Sequence, residues 1–158
     1  MAEVRVHDRP GALITLERGH GAETDTAFRA RFGLGLPEMG AFTTAGEWLL
    51  ARGAPDRAFL FGPEAPFAAA EAALQGVAGV IDWSDARTGA LVTGPDARRL
   101  MRALLPIDLR PPAMAPGKCA QTVMTYMSVL VLQLDDAPTY ELHCASSYRE
   151  SFWRALGI

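Results

Sequence analysis

The stretch CAQTVMTYMSVLVLQLDDAPTYELHC, residues 119–144, decides the fold. It reads as three strands, Cys119 to Tyr126, Val129 to Leu134 and Thr139 to Cys144, rich in β-branched and apolar residues. Asp135-Asp136-Ala137-Pro138 makes the last turn, because aspartate stabilises turns through its own backbone and proline cannot serve a ladder. A helix follows. Ser146 or Ser147 is placed to cap it, Glu150 lies at the capping-box spacing from Ser147, and Phe152, Trp153 and Leu156 form its buried stripe.

The same alternation of hairpin and helix extends upstream. Glu47 to Arg52 and Arg57 to Phe61 read as a hairpin around Gly53 to Asp56, and Pro66 to Leu74 as an alanine-rich helix. Val80 to Ser84 and Ala90 to Val92 are strands, and Gly94-Pro95-Asp96 opens a helix through Leu105. Nearer the start, Ala12 to Glu17 is a strand. After the break at Gly19-His20-Gly21, Thr24 or Asp25 caps a short helix through Phe32, with Asp25, Phe28 and Phe32 on one side. Gly33 to Gly40 is a loop. Because helices follow hairpins, and do not alternate with single strands, the fold class is α+β, with antiparallel sheets and helices packed on them. Gly62-Pro63-Glu64-Ala65 echoes Gly94-Pro95-Asp96-Ala97, which reads more as helix-start chemistry than as an internal repeat.

The 158 residues suggest a single domain, 1–158, with two small lobes at about 1–78 and 79–158 as the alternative division. A chain of this size buries roughly 70% of its unfolded surface, enough for a core without staples. Hydrophobic residues at 49% and charged residues at 21% are ordinary for a globular protein. A net charge of -3 argues against nucleic acid as a partner. No apolar run approaches a bilayer span, and Met1-Ala2-Glu3-Val4-Arg5 has no apolar leader, so a cytoplasmic protein is expected.

Chemistry-bearing motifs are scarce. The dinucleotide fingerprint, the P-loop, the nucleophile elbow and the common zinc spacings are all missing. Lys118 is the only lysine and reads as a surface residue at a strand entry. His143 could point inward from its strand, but it and Cys144 would face opposite sides and make a poor metal pair. His20 reads as a loop residue. Asp82, Ser84, Asp85 and Arg87 are the densest polar group, and turn chemistry explains them more simply than acid–base catalysis. Trp48, Trp83 and Trp153 read as core anchors. Cys119 and Cys144 are expected to be buried and unbridged. No catalytic, cofactor-binding or metal-ligating residue is therefore assigned. Pro106 to Gly117 reads as an extended surface connection held by Ile107, Leu109 and Met114. Gln121 is expected to satisfy the backbone of that connection.

Pro116-Gly117-Lys118-Cys119-Ala120-Gln121-Thr122, after Leu105-Pro106-Ile107-Asp108-Leu109, is similar to a segment of the gamma subunit of heterotetrameric sarcosine oxidase. Ser147-Tyr148-Arg149-Glu150-Ser151-Phe152-Trp153 resembles that family's C-terminal helix. Val80-Ile81-Asp82-Trp83-Ser84-Asp85, Gly94-Pro95-Asp96-Ala97-Arg98 and Gly46-Glu47-Trp48-Leu49-Leu50 extend the resemblance, which runs in order from about Gly33 to the end. It implies a fold akin to the folate-binding aminomethyltransferase, the T-protein of the glycine cleavage system. It also implies a non-catalytic assembly subunit, with alpha, beta and delta subunits as partners, in a complex that oxidatively demethylates sarcosine. The cofactors implied for that complex, FAD, FMN, NAD, tetrahydrofolate and zinc, would sit on the other subunits and none on this chain. The alternatives are a stand-alone folate-binding or aminomethyltransferase-like module and the gamma-type subunit of a related N-methyl amino-acid dehydrogenase. With no site of its own, the chain is expected to dock on the large subunits through Pro106 to Gly117 and part of the adjoining sheet, where Met101, Met114, Met124 and Met127 could offer adaptable surface.

Overall fold

The computed structural model describes residues 1–16, 21–63 and 65–158. The chain forms two compact units, Arg9–Asp85, and Met1–Asp8 together with Ala86–Ile158. It opens with β1 (Glu3–Val6), which belongs to the second of these.

The Arg9–Asp85 unit runs β2 (Gly11–Thr15), α1 (Gly21–Phe32), β3 (Ala41–Ala45), β4 (Trp48–Ala54), β5 (Arg57–Phe61), α2 (Pro66–Leu74) and β6 (Gly79–Asp82). Its strands make one sheet in the order β3-β4-β5-β2-β6, with every pairing antiparallel. Alternation puts Ile14, Leu50 and Leu60 on one face, where Phe28 and Phe32 of α1 and Ala70 and Leu74 of α2 pack. Leu13, Leu49, Phe59 and Phe61 point to the other face and are buried as well. Burial on both faces is why β5 reads as an unbroken apolar run. Burying each such side chain contributes about 1.5–3 kcal/mol.

The second unit adds to β1 the elements β7 (Arg87–Thr93), α3 (Ala97–Leu104), β8 (Cys119–Met124), β9 (Met127–Gln133), β10 (Tyr140–Ala145), a 3-10 turn (Ser146–Tyr148) and α4 (Arg149–Leu156). Its sheet order is β1-β7-β10-β9-β8, again antiparallel. Val129, Val131, Tyr140 and Leu142 build its core with Ala97 and Met101 of α3 and Phe152 and Leu156 of α4. Leu109 and Met114 anchor the proline-rich connection in that core, while Ile107 is only half-buried.

Set side by side, the two units repeat one plan. Each has a strand, a helix, a three-strand meander and a second helix, so β2 answers to β7, α1 to α3, β3–β5 to β8–β10, and α2 to α4. The fifth strand completes the match by exchange. β6 pairs with β2 in one unit, and β1, from the other end of the chain, holds the same place beside β7. The Gly-Pro-acid echo falls before α2 and α3, which are not equivalent, so it does not mark this repeat.

Several sequence expectations need correction. α1 begins at Gly21, not at a Thr24 or Asp25 cap, and its buried face is Thr24, Phe28 and Phe32. Asp25 is occupied elsewhere, accepting hydrogen bonds from Arg29 Nε at 2.8 Å and from the Leu36 amide at 2.7 Å. β1 and β3 were not expected. The Ser147 box does not form, because the 3-10 turn moves the start of α4 to Arg149 and no side chain caps it. β8 stops at Met124 because Thr125 and Tyr126 form the two-residue hairpin loop. His20 lies outside the described residues.

Candidate functional site

The densest buried polar group lies in the second unit, where β10 interrupts its apolar sequence with Glu141 and His143. Residues two apart on a strand share a face, and His143 Nε2 lies 2.8 Å from Glu141 Oε1 with both side chains 1% exposed. His7, just past β1, brings its own Nε2 to 3.5 Å from the same oxygen and is 35% exposed. Gly89 makes room for the His143 ring. A Cβ there would sit 2.9 Å from His143 Nδ1 and 2.6 Å from the His7 carbonyl oxygen.

Asp8 closes the group on the other side. Its Oδ1 accepts from the Thr88 hydroxyl at 2.9 Å and the Gly89 amide at 2.6 Å, and its Oδ2 from Arg149 at 3.1 Å. Desolvation works against the carboxylate, but the Gly89 amide, the Thr88 hydroxyl and the Arg149 guanidinium outweigh it and hold its pKa below the ordinary value. Arg87 reaches the His143 carbonyl at 3.4 Å. With Glu141 and His143 closed to solvent, this cluster ties β1, β7, β10 and α4 together. It resembles a structural clasp more than a site that meets substrate. Among the described residues no group of three or more His, Cys, Asp or Glu could hold a metal ion.

The residues singled out from sequence do not converge. Asp82 Oδ1 accepts from the Ser84 amide at 3.0 Å, a turn contact, while Arg87 belongs to the other unit. Asp135 Oδ1 accepts from the amides of Ala137 and Thr139 at 3.0 and 2.8 Å, closing the last hairpin, and Asp136 is exposed beside it. Lys118 is exposed. The tryptophans pack on phenylalanines: Trp48 on Phe32, Trp83 on Phe59 and Trp153 on Phe152, with centroids 4.7, 5.1 and 5.8 Å apart. Cys119 and Cys144 are buried with β9 between their strands, and no disulfide joins them. Burial pushes the Cys144 thiol up to about 11 despite Arg87 and Arg149 nearby, so it is not a nucleophile near neutrality.

Two expectations about the docking region change. Met101, Met114, Met124 and Met127 all fill the core. Gln121 does not serve the proline-rich connection. It is exposed and donates to Ser128 Oγ at 2.7 Å. The connection is met by the main chain of Gln133, whose carbonyl accepts from the Gly117 amide at 3.1 Å and whose amide donates to the Lys118 carbonyl at 3.0 Å. A hollow of about 280 Å³ is lined by Arg102, Ile107, Asp108, Leu109 and Arg110. Asp108 there is paired with Arg110, whose side chain holds its pKa down at about 2. Another hollow, of about 430 Å³, lies between α2 and β6 with Ala68, Ala72 and Ala78 in its wall beside Glu71 and Gln75.

Sequence reasoning missed the Glu141–His143–His7 cluster and the Asp8 clasp. The available signal was the polar pair at i and i+2 inside Tyr-Glu-Leu-His-Cys, a strand otherwise apolar.

Comparison with known structures shows the fold. A chain of the heterotetrameric sarcosine oxidase from Corynebacterium sp. U-96, solved in complex with pyrrole 2-carboxylate, superposes with a TM-score of 0.85 at 22% identity, covering 98% of this chain and 81% of that one. The glycine cleavage system aminomethyltransferase T from Bartonella henselae superposes at a TM-score of 0.68 and 15% identity, over 99% of this chain and 45% of that chain. The fold is thus α+β and aminomethyltransferase-like, and this chain spans less than half of that aminomethyltransferase. No protein-family model matches the chain, and no curated protein matches it in sequence. Among the described residues, no helix is long and apolar enough to cross a membrane.

Proposed function

We propose that this chain is the gamma-type subunit of a heterotetrameric sarcosine-oxidase-type complex, where it serves assembly and not chemistry. The observation that carries the reading is the end-to-end likeness to a chain of such a complex, at 98% coverage of this chain and 81% of the other. The motif resemblance at residues 116–122 and 147–153 points the same way. In this reading folate, NAD, the flavins and zinc belong to the alpha, beta and delta subunits, substrate selection lies there too, and the complex is cytoplasmic.

The test is co-expression with those three subunits. The chain is expected to co-elute with them and to raise the yield of assembled, sarcosine-oxidising complex. Purified alone, it is expected to be colourless and to release no peroxide from sarcosine. A chain that stays apart from all three subunits, or one that oxidises sarcosine by itself, overturns the proposal.

A further inference from the structure

A sheet edge is a row of backbone donors and acceptors awaiting a strand, and proteins normally blunt it. The two sheets present four edges, β1, β3, β6 and β8. β1 has four residues and carries exposed Glu3 and Arg5. β6 also has four and ends on exposed Asp82. β3 has five, mostly half-buried, with Thr43 Oγ1 bonded to the Gly35 carbonyl of the preceding loop at 2.9 Å. β8 has none of these protections. Its six residues, Cys-Ala-Gln-Thr-Val-Met, hold no charge and no proline, and all six stay in register with β9.

The register fixes which backbone groups are offered. The two-residue loop closes on the Met124–Met127 pair, so residues 120, 122 and 124 bond to β9 and the amides and carbonyls of Gln121 and Val123 face outward. Neither residue makes a backbone hydrogen bond to any other described element. Near the loop end of this strand, Val123, Tyr126 and Tyr148 are 48%, 64% and 40% exposed. The two tyrosine rings stand edge to face at 5.9 Å, and Tyr126 is fixed by a 2.8 Å hydrogen bond to Ser151 Oγ. The loop residue Thr125 holds φ at 60°, a conformation unusual for a β-branched residue.

We propose that the outer edge of β8 receives an extended, uncharged strand of a partner subunit, which adds to the sheet through Gln121 and Val123 and rests an apolar side chain on Tyr126 and Tyr148. The proposal rests on the subunit reading above and names the surface that reading requires. An extended backbone matches two outward amides and two outward carbonyls in a row. The absence of charge on β8 gives a charged segment nothing to pair with.

The test compares the full chain with two variants in co-expression with the other subunits. Gln121→Pro removes an outward amide and none of the donors to β9, and Val123→Lys places a charge on the edge. Both are expected to keep the thermal midpoint of the isolated chain and to lower its affinity for the complex about tenfold or more. In hydrogen exchange, the amides of 121 and 123 are expected to slow on assembly of the unaltered chain. Val123→Lys alone decides the matter if the proline variant fails to fold. Unchanged assembly of the lysine variant, or equal exchange at 121 and 123 in the isolated chain and the complex, overturns the edge proposal while leaving the subunit reading intact. Failure of the unaltered chain to co-elute overturns both. An isolated chain that is dimeric, and that Val123→Lys makes monomeric without affecting the complex, assigns the edge to a second copy and overturns the partner assignment.

Discussion

β5 and β10 occupy the same place in the two repeated units, yet their far faces are furnished in opposite ways. β5 turns Phe59 and Phe61 to that side, and β10 turns Glu141 and His143. All four are buried. One architecture therefore accepts an apolar pair or a hydrogen-bonded polar pair at the same position. The two solutions differ in what they risk. The phenylalanines lose only area and packing when cut back, whereas removing the carboxylate or the imidazole takes a buried 2.8 Å contact from the other.

The largest effect is expected from Phe59→Ala, which should destabilise the protein by about 4 kcal/mol in urea unfolding. Glu141→Ala should cost on the order of 3 kcal/mol. The double variant Glu141→Leu/His143→Leu should recover most of that loss, since an apolar pair suits the equivalent strand. A double variant as unstable as the single one would break the proposed equivalence. Gly89→Ala follows, at about 2 kcal/mol, because the new methyl meets the His7 carbonyl and the His143 ring.

Asp8→Asn should cost no more than about 1 kcal/mol, because the Asp8–Arg149 pair is partly solvated and screened. Its signature is pH dependence. The folded pKa of Asp8 lies below 3.8, so its contribution is complete above that value and lost as pH falls through the folded one. Stability curves of Asp8→Asn and the unaltered chain should therefore converge on acidification, and parallel curves would refute the clasp. The smallest expected change is a gain. Thr125→Gly should raise stability by a few tenths of a kcal/mol, because glycine accepts the positive φ of the hairpin loop.

Legibility in the sequence followed burial. β5 and α2 match their expected limits, since turn residues and proline bracket strongly apolar runs. β1 was invisible because Glu-Val-Arg-Val is half charged and pairs on one side only, so its strand character comes from β7 and not from its own composition. The repeat left no trace because it lies in strand order, and sheet order is a long-range property. The cluster around Glu141 was hidden for a related reason. His7 and His143 are 136 positions apart in sequence and meet only because β1 and β10 flank β7. The open edge of β8 was not legible, because only the pairing shows which strand ends the sheet.

The exchanged fifth strand also imposes a timetable on synthesis. β1 is made before β7, and its pairing partners there, Ala90 to Thr93, follow roughly 80 residues later. At about 5–20 residues per second, that is a wait of roughly 4–16 s. Meanwhile the whole Arg9–Asp85 unit emerges and can fold around its own contiguous strands. A nascent strand that must idle this long is safest when it is a poor partner for stray edges. The alternating charges of Glu3 and Arg5, which disguise β1 in the sequence, give it that inertness until β7 arrives.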